Sequence, residues 1–90
     1  MAEKRYRVHP DLSTRVIDGE AVILQVATTT YYSLNQTGTA LWEMLKEGAT
    51  RDALAEKIVA AYDVDRATAE RDVEALLADL VTEKMVVEEI

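Results

Sequence analysis

Three carboxylates recur at spacings of seven and four residues near the end of the chain. Asp72, Asp79 and Glu83 fall close to one face of the helix that the surrounding apolar periodicity predicts. Carboxylates in this arrangement can pair with lysine or arginine side chains of a ligand, and each exposed pair contributes roughly 0.2–1 kcal/mol. A solvated helix face explains the same pattern equally well, so both interpretations stay open at this point.

The remaining reactive side chains form no pattern that supports catalysis. His9 is the single histidine and the chain has no cysteine, which excludes a Cys-His pair and a thiolate metal site. No base accompanies the serines and threonines, and the sequence contains neither a glycine-rich phosphate loop nor clustered metal ligands. The sequence therefore predicts a protein that is not an enzyme, without catalytic residues, metal or cofactor.

The charge of the chain narrows the class of partner. Its net charge is −7, and the acids are concentrated toward its end. An acidic domain repels phosphate backbones, which argues against nucleic acid and favours a basic segment of a protein or peptide. The first residues lack the apolar run of a signal peptide, and no stretch approaches the roughly 20 apolar residues that span a bilayer. We therefore expect one cytoplasmic domain over residues 1–90 that does not bind membranes.

Strand signals occupy the first third of the chain. Arg5 to Val8 is predicted as a short strand that ends before Pro10, and Asp18-Gly19 marks a turn between apolar runs. The next strand is predicted over Ala21 to Val26. Thr30 to Leu34 then completes a three-stranded antiparallel meander.

The rest of the sequence predicts three helices and a possible short closing strand, which makes the fold class α+β. The helices cover about Gln36 to Glu47, the residues after Thr50 up to about Tyr62, and about Arg66 to Glu83, and the closing strand covers Met85 to Val87. Asn35, Thr50 and Asp65 are the predicted N-caps. Gly48 suits the left-handed stop after the first helix.

The ordered set of short segments resembles the PqqD-like family, whose small domains recognise precursor peptides in ribosomal peptide biosynthesis. The resemblance extends over nearly the whole chain after about Val8. The matching segments are Asp18-Gly19-Glu20-Ala21-Val22-Ile23-Leu24, Tyr31-Tyr32-Ser33-Leu34-Asn35-Gln36-Thr37-Gly38, Leu41-Trp42-Glu43-Met44-Leu45, Gly48-Ala49-Thr50, Ala61-Tyr62-Asp63-Val64-Asp65 and Asp72-Val73-Glu74-Ala75-Leu76-Leu77-Ala78-Asp79-Leu80. One departure is Lys84, because relatives often place glycine at this turn between helix and wing.

The resemblance implies a winged helix-turn-helix-like fold with a small sheet, and it implies a ligand. A leader peptide would add as an extra strand at the edge of the third predicted strand, where free backbone N–H and C=O groups supply affinity. Its side chains would pack against the third helix. In lasso-peptide pathways, which we favour, such a stand-alone domain passes the precursor to a leader peptidase and a cyclase. In the pyrroloquinoline quinone (PQQ) pathway the partner is a radical SAM enzyme.

The candidate peptide-binding site follows from this implied geometry. If Tyr32 and Leu34 point to the core, alternation along the strand turns Tyr31, Ser33 and Thr29 the other way. Simple packing of both tyrosines in the core is the alternative interpretation. The strand contributes Thr28, Thr29, Thr30, Tyr31, Tyr32, Ser33 and Leu34, and the helix contributes Asp72, Val73, Leu76, Asp79, Leu80 and Glu83.

Two other functions are consistent with the same elements. A winged-helix regulator would bind DNA through the third helix, but that helix carries more acids than bases, with Arg66 and Arg71 as its basic residues. A small structural domain would instead use the free strand edge to pair with its own copy. We therefore expect the protein to be a monomer or an edge-paired dimer.

Overall fold

The computed structural model describes residues 4–10 and 12–89, and it confirms the α+β fold class. Three helices and two three-stranded antiparallel sheets make up the described part of the chain. Along the chain the elements are β1 (Arg5–Val8), β2 (Leu12–Ile17), β3 (Glu20–Gln25), β4 (Thr30–Ser33), α1 (Gln36–Glu47), β5 (Ala49–Thr50), α2 (Arg51–Ala61), α3 (Arg66–Thr82) and β6 (Val86–Glu89).

The predicted meander exists, but its first strand is β2 and not the segment from Arg5 to Val8. The sheet has the order β2-β3-β4, and Ile17 pairs with Glu20 across a two-residue turn. Asp18 and Gly19 form this turn with φ values of 53° and 79°. Two successive residues with positive φ match the right-handed twist of a hairpin, and this is why the Asp-Gly pair occurs there.

The prediction that β1 belongs to the meander was wrong, because β1 is the central strand of a second sheet and pairs with β5 and β6. That sheet has the order β5-β1-β6, and its β6 extends to Glu89, beyond the predicted end at Val87. Lys4 lies 3.5 Å from Glu88, and Arg7 lies 3.1 Å from Glu89. The basic start of the chain thus pairs with its acidic end, although exposed ion pairs of this kind contribute little stability individually.

All three predicted N-caps are confirmed. The backbone N–H of Gly38 donates to Asn35 Oδ1 at 2.8 Å, that of Ala53 to Thr50 Oγ1 at 3.1 Å, and that of Thr68 to Asp65 Oδ1 at 2.8 Å. Each cap satisfies one of the donors that a helix N-terminus leaves without a partner. Gly48 ends α1 with a φ of 89°, as its position predicted.

The core lies between the helices and the inner face of the β2-β3-β4 sheet. Ile23 and Trp42 are buried in it, and Ala21 donates its backbone N–H to Thr39 Oγ1 at 2.8 Å. The buried side chain of Gln25 donates to the carbonyl oxygen of Lys84 at 2.6 Å. These two hydrogen bonds fix β3 against α1 and against the turn after α3, and β3 in turn holds β4 in place.

Lys84 adopts the left-handed conformation, with a φ of 60°, at the turn between α3 and β6. This conformation costs a non-glycine residue about 1 kcal/mol. We expect Lys84→Gly to raise the free energy of unfolding by about 0.5–1 kcal/mol, measured by urea denaturation. The carbonyl that accepts from Gln25 is retained in this variant. Lys84→Ala is the control, and equal stabilisation by alanine would attribute the gain to the lost charge instead.

Candidate functional site: a strand edge beside an acidic helix

One edge of β4 is unpaired in the part of the chain that the structure describes, since β4 is bonded only to β3. The backbone N–H of Leu34 donates to the carbonyl of Ala21 at 2.8 Å. Bonded and non-bonded pairs alternate in an antiparallel ladder, so Tyr32 bonds toward β3 while the backbone groups of Tyr31 and Ser33 point to the free edge. This edge can therefore bond to an added strand without losing a bond of its own sheet.

The side chains of β4 alternate as the sequence predicts. Tyr32 is half-buried on the inner face, and Leu34, directly after the strand, is buried. Tyr31 is 67% exposed, and Ser33 is exposed on the same outer face. The edge itself is shorter than predicted, because Thr28 and Thr29 lie in the turn before β4, where Thr29 has a φ of 55°. An extended ligand at this edge would thus have one set of side chains on each face of the sheet.

A groove of about 480 Å³ lies along the inner side of this edge. One wall comes from the end of β4 and the start of α1, and the other from α3 and the end of α2. Its lining is Tyr32, Ser33, Leu34, Asn35, Thr37, Gly38, Leu41, Ile58, Tyr62, Val64, Asp72 and Leu76. Most of the larger side chains in this set are apolar, so the groove suits the apolar side chains of a bound segment.

The wall formed by α3 has a layered structure. Val73 and Leu80, both predicted as contact residues, are fully buried in the core and support the wall from behind. Leu76 is half-buried and lines the groove. Asp72 lines the groove beside it, and Asp79, one helical turn beyond Leu76, bonds to Tyr32. Asp72, Leu76 and Asp79 on α3, and Glu83 directly after its last residue, form a stripe at spacings of four, three and four residues that faces β4.

The acids of this stripe differ from the other acids of α3 in their partners. On the other sides of the helix, Glu70 bonds to Arg66 at 2.9 Å and Glu74 pairs with Arg51. Asp72, Asp79 and Glu83 have no salt bridge to any of the residues that the structure describes. The groove side of α3 thus carries uncompensated negative charge, which favours a basic ligand.

Tyr32 connects the two walls of the groove. Its hydroxyl donates to Asp79 Oδ2 at 3.3 Å. Burial raises the pKa of the Tyr32 phenol, and the nearby charges of Asp79 and Glu83 raise it further because they oppose a phenolate. Tyr32 therefore keeps its proton and links β4 to α3 as a neutral hydrogen-bond donor.

The part of the second wall that comes from the end of α2 was not predicted from the sequence. Ile58 and Tyr62 were assigned to the apolar positions of the second helix, and Val64 lies between the two acids that follow it. The structure brings these three residues to the groove opposite β4. Tyr62 is 43% exposed. The sequence signal for this part of the groove was Tyr62, an aromatic residue at the end of a short helix. The sequence could not place Tyr62 at the groove, because its position depends on how α2 packs against α3.

The His, Asp and Glu side chains within residues 4–10 and 12–89 do not gather in a group that could hold a metal ion. Across the same residues, every helix is too short or too polar to cross a membrane.

Comparison with solved structures supports the fold. TbiB1, in a structure of its complex with the TbiA(beta) leader peptide, is 32% identical to this chain. The TM-score is 0.83, and the match covers 89% of this chain and 93% of that one. Lasso peptide synthetase B1, complexed with the leader peptide, is 29% identical, with a TM-score of 0.81 and coverages of 91% and 96%.

A more distant neighbour has the same fold. The PqqD truncation of Methylobacterium extorquens PqqCD, described as a functional and stand-alone recognition element for ribosomally synthesised and post-translationally modified peptides, is 20% identical, with a TM-score of 0.74 and coverages of 92% and 88%. No curated protein gives a significant match. Residues 20–86 match the family described as coenzyme PQQ synthesis protein D (PqqD). This match extends from β3 to the start of β6 and includes both walls of the groove, and the chain therefore belongs to the PqqD family.

Proposed function

We propose that this protein binds the leader region of a ribosomally synthesised precursor peptide by strand addition to β4, and delivers it to maturation enzymes. The observation that carries the proposal is the position of the free backbone groups of Tyr31 and Ser33 directly beside an apolar groove. Two neighbours with this fold, 32% and 29% identical to the chain, are complexes with leader peptides.

Within this proposal the predicted site residues have different roles. The backbone from Thr30 to Ser33 supplies the pairing edge, and Leu34 forms part of the groove. Thr28 and Thr29 mark one end of the edge. The stripe on α3 contacts the side chains of the peptide, with Leu76 as an apolar contact and the acids as partners of lysine or arginine. Val73 and Leu80 hold the stripe in place from the core.

The proposed role is that of a cytoplasmic binding module and not of an enzyme. The similarity to lasso peptide synthetase B1 favours a leader peptidase as the enzyme that receives the peptide, and the family relation leaves a PQQ-type radical SAM enzyme as the alternative. Self-pairing through the β4 edge would use the same backbone groups, so bound peptide would dissolve such a dimer. The acidic stripe disfavours nucleic acid as a partner.

Selection from a display library of random linear peptides tests the proposal, together with direct titration of the TbiA(beta) leader peptide. We expect the domain to enrich peptides that bind in the micromolar range or tighter and that protect the amides of Tyr31 and Ser33 from hydrogen exchange. The proposal is overturned if no peptide binds, or if bound peptides leave both amides unprotected. Light scattering on the same samples reports whether peptide converts a dimer to a monomer.

A further inference from the structure

The outer face of the β2-β3-β4 sheet carries large apolar side chains that the groove does not use. Tyr31 on β4 pairs directly with Leu24 on β3, so the two side chains lie next to each other on this face. Leu24 is half-buried and Tyr31 is 67% exposed. The next row on the same face contains Ser33 beside Val22. The apolar surface of this face therefore continues up to the free edge of β4 and ends there.

A strand added at that edge would extend this face as well as fill the groove. Successive side chains of a strand point to opposite faces, so every second residue of the ligand must lie outside, beside Tyr31 and Ser33. Directly opposite residues have Cβ atoms about 4.5–5.5 Å apart, which is contact distance for an aromatic ring. A ligand residue opposite Tyr31 would therefore cover a ring that water otherwise surrounds.

Resting on the proposed function, we infer that the domain contacts side chains of the bound peptide on both faces of the sheet. Tyr31 is the specificity-determining residue on the outer face. The ligand then carries an aromatic or β-branched residue opposite Tyr31, between two apolar residues that enter the groove. The segment of the ligand that binds is therefore a run of consecutive apolar residues. A site that contacts only one face of the added strand would instead select alternating apolar and polar residues.

A thermodynamic cycle tests this inference with peptides from the library described above. Cross-strand pairs of this type contribute roughly 0.2–1 kcal/mol, so Tyr31→Ala is expected to weaken binding by about 1.4- to 5-fold and Tyr31→Phe to restore it. Alanine at the outward peptide position should have a similar effect. The two changes together should weaken binding no more than either change alone. Ile17→Ala is the matched control, because Ile17 is 54% exposed on the same face but lies on β2, at the opposite edge.

Disulfide capture identifies the outward peptide position independently, because the chain contains no cysteine. In an antiparallel added strand the residues opposite Tyr31 and Tyr32 have Cα atoms about 5.5 Å and about 4.5 Å away, and both distances are within the range of a disulfide. Tyr31→Cys should capture single-cysteine peptides at alternate positions, and Tyr32→Cys at the positions between them. The inference is overturned if peptides bind with this alternation but Tyr31→Ala leaves their affinity unchanged, or if the two changes are additive. Absence of binding to the wild-type domain would instead overturn the proposed function.

Discussion

Replacing Ser33 by proline is expected to weaken peptide binding by about 10-fold or more while the domain stays folded. Proline has no N–H, so the variant cannot donate to an added strand at this position, and the ring occupies space where the ligand backbone would lie. A lost hydrogen bond that leaves a ligand carbonyl without a partner costs about 1–3 kcal/mol, and 1.4 kcal/mol corresponds to a factor of ten in affinity. Isothermal titration with library-selected peptides measures the change.

The fold should tolerate this proline because the backbone N–H of Ser33 points away from β3. The Leu34 N–H bonds to Ala21, and the alternation of the ladder then leaves the Ser33 N–H outside the sheet. Proline is accepted at such edge positions. Tyr32→Pro, one residue away, would instead remove a bond to β3, and we expect it to unfold the domain.

The control for the side chain is Ser33→Ala, which keeps the N–H and should bind within about 2-fold of wild type, the size expected for an exposed surface substitution. Circular dichroism and urea denaturation verify that both variants are folded. Full affinity in a folded Ser33→Pro domain would contradict strand addition at β4, because the ligand would then not need this edge.

Local features of this fold could be predicted from the sequence, since their causes are local. The side-chain oxygens of Asn35, Thr50 and Asp65 accept from backbone groups three residues away, so the three helix starts could be read directly. The Asp18-Gly19 turn is another local feature. The pairing of β1 with β6 was not predictable in this way, because Arg7 and Glu89 are 82 residues apart. A run of four residues does not specify which of several strands it joins.

The candidate site was predictable in part for the same reason. Helical periodicity placed Asp72, Asp79 and Glu83 on one face, and the structure brings that face to β4. Periodicity alone did not distinguish Leu76, which is open to the groove, from Val73 and Leu80, which are buried behind it. That difference depends on the rotation of α3 against the core, which is set by contacts with distant parts of the chain.

The partners of the acids on α3 also depend on distant residues. Glu70 and Arg66 are four residues apart on the same helix, and their ion pair could be expected. Glu74 pairs with Arg51 of α2, which is visible only in the folded chain. These pairs compensate the acids that face away from the groove and leave those of the stripe available to a ligand. Among the acids of α3 that the structure describes, the uncompensated charge therefore lies on the side that faces β4.

Neutralising the three acids of the stripe is expected to weaken the binding of lysine- or arginine-containing peptides by about 10-fold. The variant combines Asp72→Asn, Asp79→Asn and Glu83→Gln. Each exposed pair contributes roughly 0.2–1 kcal/mol, so three together contribute roughly 0.6–3 kcal/mol, a range that includes the 1.4 kcal/mol of a tenfold change. The wild-type affinity should fall as salt is raised, and the affinity of the variant should depend less on salt, because exposed charges are screened. Peptides without basic residues should bind both proteins equally.

The control for this variant removes the same amount of charge elsewhere, through Glu56→Gln, Glu70→Gln and Glu74→Gln. These three acids already pair with Arg66 and Arg51 within the domain, so their removal should leave the affinity and its salt dependence nearly unchanged. Equal losses of affinity in the two variants would mean that binding depends only on the net charge of −7 and not on the position of the acids. In that case α3 would not form a wall of the binding site. A larger loss for the stripe variant, abolished at high salt, would locate the basic residues of the peptide beside Asp72, Asp79 and Glu83.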